Sequence, residues 1–177
     1  MSYFLVTQSL KLLEPTNGEA NKKEVIFNPS AIEERSLILE VNPDNKITSE
    51  SGQIFYKQDL KLSDAPNAKE QCYWVSYSEL KTNNGLVELV KLDTTKKFLV
   101  LKDTEAYVLC TDAPRHITIP KNSTITLLGT KIVKQFGHWF SVDSNEDLQN
   151  LTSHQLMYAP NSKEASYYNP TLLKPIN

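Results

Sequence analysis

The feature that most constrains the fold of this chain is the shortness of its apolar runs, each of which stops at turn-forming residues. The runs are rich in Val, Ile, Leu, Thr and aromatic residues, and Gly, Pro, Asn or Asp separate them, as in Asn83-Asn84-Gly85. This pattern predicts short β-strands joined by tight turns. The predicted strands are residues 3–6, 24–27, 36–41, 53–56, 73–76, 86–92, 97–101, 106–110, 123–128 and 139–142.

Long amphipathic helices are not predicted anywhere in the chain. Two short helical turns are expected where a serine precedes an acidic residue by three positions: Ser30 with Glu33, and Ser144 with Asp147. A serine oxygen can accept a hydrogen bond from a first-turn N–H, and an acidic side chain suits the positive end of a helix dipole. The chain is therefore expected to be mainly β, as a barrel or a sandwich.

Charge and hydropathy exclude some classes of partner. The chain has 19 basic and 21 acidic residues, a net charge of −2, so it lacks the positive excess that phosphate binding needs, and nucleic acid and anionic membranes are not expected as partners. No apolar run approaches the roughly 18 residues of a membrane span. The sequence from Met1 to Gln8 has no basic region followed by a long apolar one, which predicts a cytoplasmic protein. Secretion without a signal, or as a trimmed mature form, stays open.

The sequence also predicts how the chain divides into domains. Phe4-Leu5-Val6 recurs as Phe98-Leu99-Val100, which favours two domains at residues 1–84 and 85–158, followed by an extended, proline-containing tail at 159–177. A weaker echo, in which strands run into Ala-Pro turns at Pro66 and Pro114, would instead give units of about fifty residues. The apolar residues of the tail suggest that it wraps the body or a neighbouring subunit.

One family resemblance is carried by residues 117–129 and 137–142, where a lysine-led turn opens a strand, a hairpin follows, and Gly137-His138-Trp139 begins the next strand. This stretch resembles the bacterial SH3-like domain. Residues 73–80 are similar to the end of such a domain, where a Trp-Val strand runs into one helical turn. The resemblance implies two small SH3-like β-barrels in tandem with short helical turns. It also implies recognition of a peptide, cell-wall glycan or protein partner.

Aromatic residues are the candidate ligand-binding group. They cluster in two segments, and strand alternation must direct some of them outward. In a barrel of the resembled family such rings line a groove for extended ligands. The alternative is that the tryptophans are core residues. The candidate binding residues are Tyr73, Trp74, Tyr77, Phe136 and Trp139.

Catalytic and metal sites are not predicted, and neither is a cofactor. His116, His138 and His154 lack the spacing of zinc ligands, and no phosphate loop or nucleophile elbow is present. Cys110 with His138 invites comparison with papain-like peptidases, but no helix follows Cys110 to activate its thiol. Both cysteines, Cys72 and Cys110, are expected to be reduced and buried, although a disulfide between them stays open.

The sequence thus favours a non-catalytic binding or adaptor protein with an aromatic-lined groove. A first alternative is a structural or assembly protein, such as a phage or secretion-system component, that forms homo-oligomers through residues 159–177. A second alternative is a diverged Cys–His hydrolase that uses Cys110 and His138.

Overall fold

The chain is mainly β, as expected. A computed structural model describes residues 1–14, 23–32, 36–108, 115–127, 139–140, 151–152, 155–158 and 166–176. The described strands form five small sheets, all antiparallel, and none of these sheets closes into a barrel. The mainly-β prediction is confirmed, whereas the two SH3-like barrels stay a prediction.

Two compact units make up the chain, Met1–Glu88 and Leu89–Asn177. The elements of the first unit are β1 (Ser2–Val6), β2 (Leu10–Glu14), β3 (Lys23–Phe27), β4 (Ile38–Val41), β5 (Lys46–Thr48), β6 (Ile54–Leu60), β7 (Gln71–Ser76), α1 (Tyr77–Thr82) and β8 (Leu86–Glu88), with 3-10 turns at Pro29–Ala31 and Pro43–Asn45. They form a three-stranded sheet, in the order β4-β1-β8, and a five-stranded sheet, in the order β3-β2-β7-β6-β5.

Alternating burial explains why these segments are strands. On β2, Leu10 and Leu12 are fully buried while Lys11 between them is exposed, as the period of two along a strand requires. Side chains from both sheets meet in one core. Its buried members are Val6, Leu10, Leu12, Phe27, Ile32, Leu37, Leu39, Leu60, Tyr73 and Val75.

A buried amide joins the two sheets of the first unit. The side chain of Gln58 on β6 is 3% exposed and lies against the backbone of Glu40 on β4. Its Oε1 accepts from the Glu40 N–H at 2.9 Å, and its Nε2 donates to the Glu40 carbonyl at 2.6 Å. The amide therefore replaces the strand partner that this peptide group would otherwise lack.

Helical structure in the first unit begins at capping residues. Ser76 ends β7, and its Oγ accepts from the Glu79 N–H at 2.9 Å, so α1 starts directly where the strand stops. The helical turn expected after Trp74 is therefore present. The helix expected from Ser30 is instead a single 3-10 turn that Asn28 caps, because the Asn28 side chain accepts from the Ser30 N–H and Pro29 fixes the first position. The other expected helical turn, at 144–147, lies outside the described residues.

The second unit contains ten short strands among its described residues. They are β9 (Val90–Lys91), β10 (Lys97–Val100), β11 (Thr104–Val108), β12 (Arg115–Ile119), β13 (Thr124–Thr126), β14 (Trp139–Phe140), β15 (Leu151–Thr152), β16 (Met157–Tyr158), β17 (Tyr167–Tyr168) and β18 (Leu173–Ile176). The three sheets have the orders β13-β10-β18, β12-β11-β15-β14 and β16-β17-β9. The buried core consists of Phe98, Val100, Ala106, Ile119, Ile125, Leu127, Leu156, Met157, Tyr168 and Leu173.

The described part of the C-terminal tail belongs to the second unit. Leu173–Ile176 pairs with the β10 strand, and Pro175 lies opposite Phe98 on an edge strand, where a missing N–H is tolerated. The ring of Tyr168 meets the ring of Phe98 edge-on, with centroids 4.9 Å apart. Residues 166–176 thus supply strands and core side chains to their own unit.

We expect Gln58→Leu to lower the free energy of unfolding of the first unit by about 2 kcal/mol, since it leaves the half-buried N–H and carbonyl of Glu40 without partners. Chemical denaturation followed by circular dichroism measures this. Lys57→Leu, at the exposed neighbouring position on the same strand, is the control. Equal midpoints for the two variants would contradict a structural role for the Gln58 amide.

Candidate functional site

A groove of about 720 Å³ lies in the first unit, within the described residues. It is lined by β2, β3, the turn before β6, the start of β6, the last residue of β7 and α1. The lining residues are Lys11, Leu13, Glu24, Gly52, Gln53, Ile54, Phe55, Ser76, Tyr77, Ser78, Lys81 and Thr82. Its volume falls in the range of roughly 300–1,000 Å³ that is typical of ligand sites.

The groove lies on the face of the five-stranded sheet that points away from the core. Leu13 is directly opposite Trp74 on β7, and Lys11 is directly opposite Ile26 on β3. Directly opposed residues of antiparallel strands share a face. Since Leu10 and Leu12 point into the core, Lys11 and Leu13 must point outward, and their cross-strand partners point the same way.

The position of α1 beside β2 depends on the carboxylate of Glu79. Its Oε1 accepts from the backbone N–H of Lys11 at 3.0 Å and from Nδ2 of Asn83, also at 3.0 Å. The described pairing of β2 with β7 is limited to Leu13 and Trp74. Glu79 therefore continues the hydrogen bonding of β2 where β7 gives way to the helix, and it fixes one wall of the groove against the other.

The segment after α1 is tied to the start of the unit by a second set of bonds. Asn83 Nδ2 donates to the Ser9 carbonyl at 2.9 Å, and Asn83 Oδ1 accepts from the Gly85 N–H at 2.8 Å. The N–H and the hydroxyl of Thr7 both donate to the Gly85 carbonyl at 2.7 Å. The C-terminal end of α1 is thus held by hydrogen bonds to the segment that connects β1 with β2.

Charged side chains stand at the groove beside its apolar residues. Lys11 Nζ is 3.7 Å from Glu24 Oε1, and both side chains are about half exposed. Lys81 Nζ lies 4.7 Å from the ring centroid of Tyr77, four residues earlier on α1, which is the spacing at which helical side chains meet. The groove therefore combines an apolar wall with cations that solvent can reach.

Among the predicted aromatic residues of the first unit, Tyr77 alone lines the groove, and it is 43% exposed. Trp74 is half-buried on the same sheet face, two positions before Ser76. Tyr73 points the other way, into the core, and is 8% exposed. Burial, and to a smaller extent the negative charge of Glu14, raises the pKa of the Tyr73 hydroxyl, which donates to Gln71 Oε1 at 3.3 Å.

The predicted aromatic residues of the second unit are less completely described. Phe136 lies outside the described residues. Trp139 has a described backbone, in β14, where it pairs with Thr152 on β15, but its side chain is outside the description. The binding role predicted for both residues stays a prediction.

Sequence reasoning missed the groove residues Lys11, Leu13, Phe55 and Lys81. One signal for Lys81 was present, because it directly follows the helical turn expected within residues 73–80 and lies four residues after Tyr77. Nothing local to the sequence indicates that Leu13 and Phe55 meet at the same site, since their juxtaposition follows from the strand order around β7.

The structure describes one of the three histidines considered as metal ligands. His116, on β12, is exposed, with its Nε2 3.5 Å from Glu105 Oε2. His138 and His154 lie outside the description. Within the described ranges, no three His, Cys, Asp or Glu side chains are grouped so that they could hold a metal ion. In the same part of the chain, no helix has the length and apolar character needed to span a membrane.

Cys72 is a half-buried thiol on β7, and its environment does not activate it. Burial raises the pKa of the Cys72 thiol; the charge of Lys57 lowers it and that of Asp59 raises it, both by less. A raised pKa reduces the thiolate fraction at neutral pH, and the thiolate is the nucleophile. Cys110, the thiol of the alternative hydrolase reading, lies outside the described residues.

In a Cys110→Ser variant, we expect iodoacetamide to label Cys72 slowly at neutral pH and faster as the pH rises, with a midpoint above that of an unhindered thiol. The rate of alkylation across pH 6 to 11 measures this. The urea-unfolded variant is the reference, and its midpoint should lie lower. A folded midpoint below the unfolded one would mean that Cys72 is an activated thiolate.

Gly85 is required by a close approach of backbones near the groove. A Cβ at this position would lie 2.4 Å from Cβ of Gln8 and 2.9 Å from its backbone nitrogen. We expect Gly85→Ala to cost about 2–3 kcal/mol of stability, because the segment after α1 must shift. Gly52→Ala is the comparison: its φ of +84° is strained for alanine, but the added methyl group meets nothing, so about 1 kcal/mol is expected. Thermal unfolding of both variants tests the order.

Comparison with models of protein families, with curated proteins and with solved structures found no match to this chain. A role for the groove therefore has to be argued from its own geometry and chemistry.

Proposed function

We propose that this chain is a non-catalytic binding protein that holds an extended segment of a partner protein in the groove beside α1. The observation that carries the proposal is the exposed ring of Tyr77, which lines one groove of ligand-sized volume together with the half-buried Leu13 and with Phe55, which is 7% exposed. An aromatic ring that is apolar on its faces and polar at its tip is the usual anchor of such a contact.

Preorganisation supports the proposal. The two walls of the groove, β2 and α1, are joined by the bond from the Lys11 N–H to Glu79, and the start of α1 is capped by Ser76. A ligand that binds between walls already in place avoids the entropy cost of ordering them. The hydrogen bonds that position the groove thus favour a binding site over an accidental surface hollow.

An extended polypeptide fits the groove better than a glycan does. The lining includes four apolar or aromatic side chains, those of Leu13, Ile54, Phe55 and Tyr77. An extended peptide offers apolar side chains on alternate sides of its backbone, which can contact them. The resemblance to SH3-like domains also points to peptide recognition. We propose that the first unit is related to that family. Binding of a cell-wall glycan is the competing outcome of the same titration.

The assembly alternative gains no support from the described part of the C-terminal tail. Tyr168 and Leu173 are buried in their own unit, and the strands that contain them pair with β9 and β10. Deleting residues 159–177 would remove those strands. Loss of an oligomer after such a truncation would therefore report unfolding of the second unit as readily as loss of an interface.

We expect Tyr77→Ala to weaken binding of an extended peptide by about fivefold to tenfold, because the variant removes the exposed anchor. It should leave the unfolding midpoint nearly unchanged. Titration of ¹⁵N-labelled protein with peptide and glycan libraries measures binding, and amide shifts at residues 11–13, 53–55 and 76–82 locate it. Val90→Ala, at a residue of similar exposure in the second unit, is the matched control.

The proposal would be wrong if neither library shifted those amides. If glycans and not peptides shifted those amides, the groove would still be a binding site, but its ligand would be a glycan. Shifts confined to the second unit would move the site to the region around Trp139.

A further inference from the structure

The charges of the groove differ in sign from the charge of the whole chain. Three charged residues line it, Lys11 and Lys81 against Glu24, so the lining carries a net charge of +1, whereas the net charge of the chain is −2. Charged groups at the edge of a binding site act chiefly on the choice of partner and on the rate of encounter. The net positive charge of the lining therefore affects which partner segments bind in the groove.

Glu79, whose carboxylate also lies beside Lys11, is not a group that a ligand carboxylate can displace. It is absent from the groove lining, and its Oε1 is occupied by the Lys11 N–H and by Asn83 Nδ2. A carboxylate committed to two structural N–H donors is not exchanged for a ligand without releasing α1. The carboxylate that competes with a ligand is therefore that of Glu24.

The pairing of Glu24 with Lys11 is one that a ligand can replace. Both side chains are about half exposed and their closest approach is 3.7 Å. Exposed pairs of this kind are worth about 0.2–1 kcal/mol, so exchange of Glu24 for a ligand carboxylate costs little. Lys81 needs no such exchange, because its contact is with the ring of Tyr77 and its ammonium group stays open to an anion.

Resting on the proposed function, we infer that the groove selects an acidic segment, one in which a Glu or Asp lies two positions from a large apolar residue. In an extended chain, residues two apart lie on the same side, about 7 Å from one another. The apolar side chain then contacts Leu13 and the small exposed part of Phe55, while the carboxylate meets Lys11, two positions before Leu13 on the same strand, or Lys81. Segments with lysine at the acidic position are rejected.

Three hexapeptides test the inference: glutamate, glutamine or lysine, placed two positions before leucine in a serine–glycine background, each with the same uncharged dye. Fluorescence anisotropy in low salt measures their dissociation constants. We expect the glutamate peptide to bind about fivefold more tightly than the glutamine peptide and the lysine peptide to bind least, with the glutamate preference falling in 0.5 M salt. Placing glutamate next to leucine should remove most of the preference.

Charge variants of the protein locate the effect. Lys81→Gln should weaken the glutamate peptide by about fivefold and leave the glutamine peptide within about twofold. Glu24→Gln should have the opposite effect and strengthen binding of the glutamate peptide by about threefold, because Lys11 loses its ion-pair partner. Lys102→Gln, at an exposed position in the second unit, is the matched control and should change nothing.

The outcomes separate this inference from the proposed function. Equal binding of all three peptides, with amide shifts in the groove, overturns the acidic preference and leaves the groove as a peptide site. A glutamate preference that Lys81→Gln and Glu24→Gln do not alter also overturns it, since the charge effect then arises elsewhere. Absence of groove shifts with every peptide, including the library peptides, removes the proposed function itself.

Discussion

The groove depends on one oxygen atom, Oε1 of Glu79. It accepts hydrogen bonds from the Lys11 N–H and from Asn83 Nδ2, and so it holds α1 where the pairing of β2 with β7 ends. Charge-assisted bonds of this kind are about twice as strong as neutral ones. Without them the helix would still have the Ser76 cap, the contact of Leu80 with the core and the bond from Asn83 to the Ser9 carbonyl, but no bond to β2 itself.

The two faces of the five-stranded sheet carry different side chains of the aromatic cluster. The inner face carries Tyr73 and Val75 into the core, where burial of apolar surface stabilises the unit. The outer face carries Trp74 and, through α1, Tyr77. Because neighbouring residues on a strand point in opposite directions, adjacent aromatic residues such as Tyr73 and Trp74 lie on opposite faces of the sheet.

Much of the fold was accessible from the sequence because strands and caps are local. The strands at 3–6, 24–27 and 73–76 lie where the alternation of apolar residues predicted them. The helical turn after Trp74 was also expected. Which face of each strand points into the core could not be predicted, since it depends on which strands pair with β2 and β7. For the same reason the sequence did not indicate that Leu13 and Phe55 line one groove. Ser30 was misassigned as a cap because Asn28-Pro29 is the stronger signal for a turn start.

The close approach of Gly85 to Gln8 has a consequence for synthesis of the chain. β1 is the middle strand of its sheet, with β4 on one side and β8 on the other, so the N-terminal strand lacks one of its neighbours until residues 86–88 have been made. On the ribosome, the first unit therefore remains open along β1 until nearly all of its sequence has left the exit tunnel. The sheet that contains β1 is therefore completed last, after the hairpins of the five-stranded sheet have been synthesised.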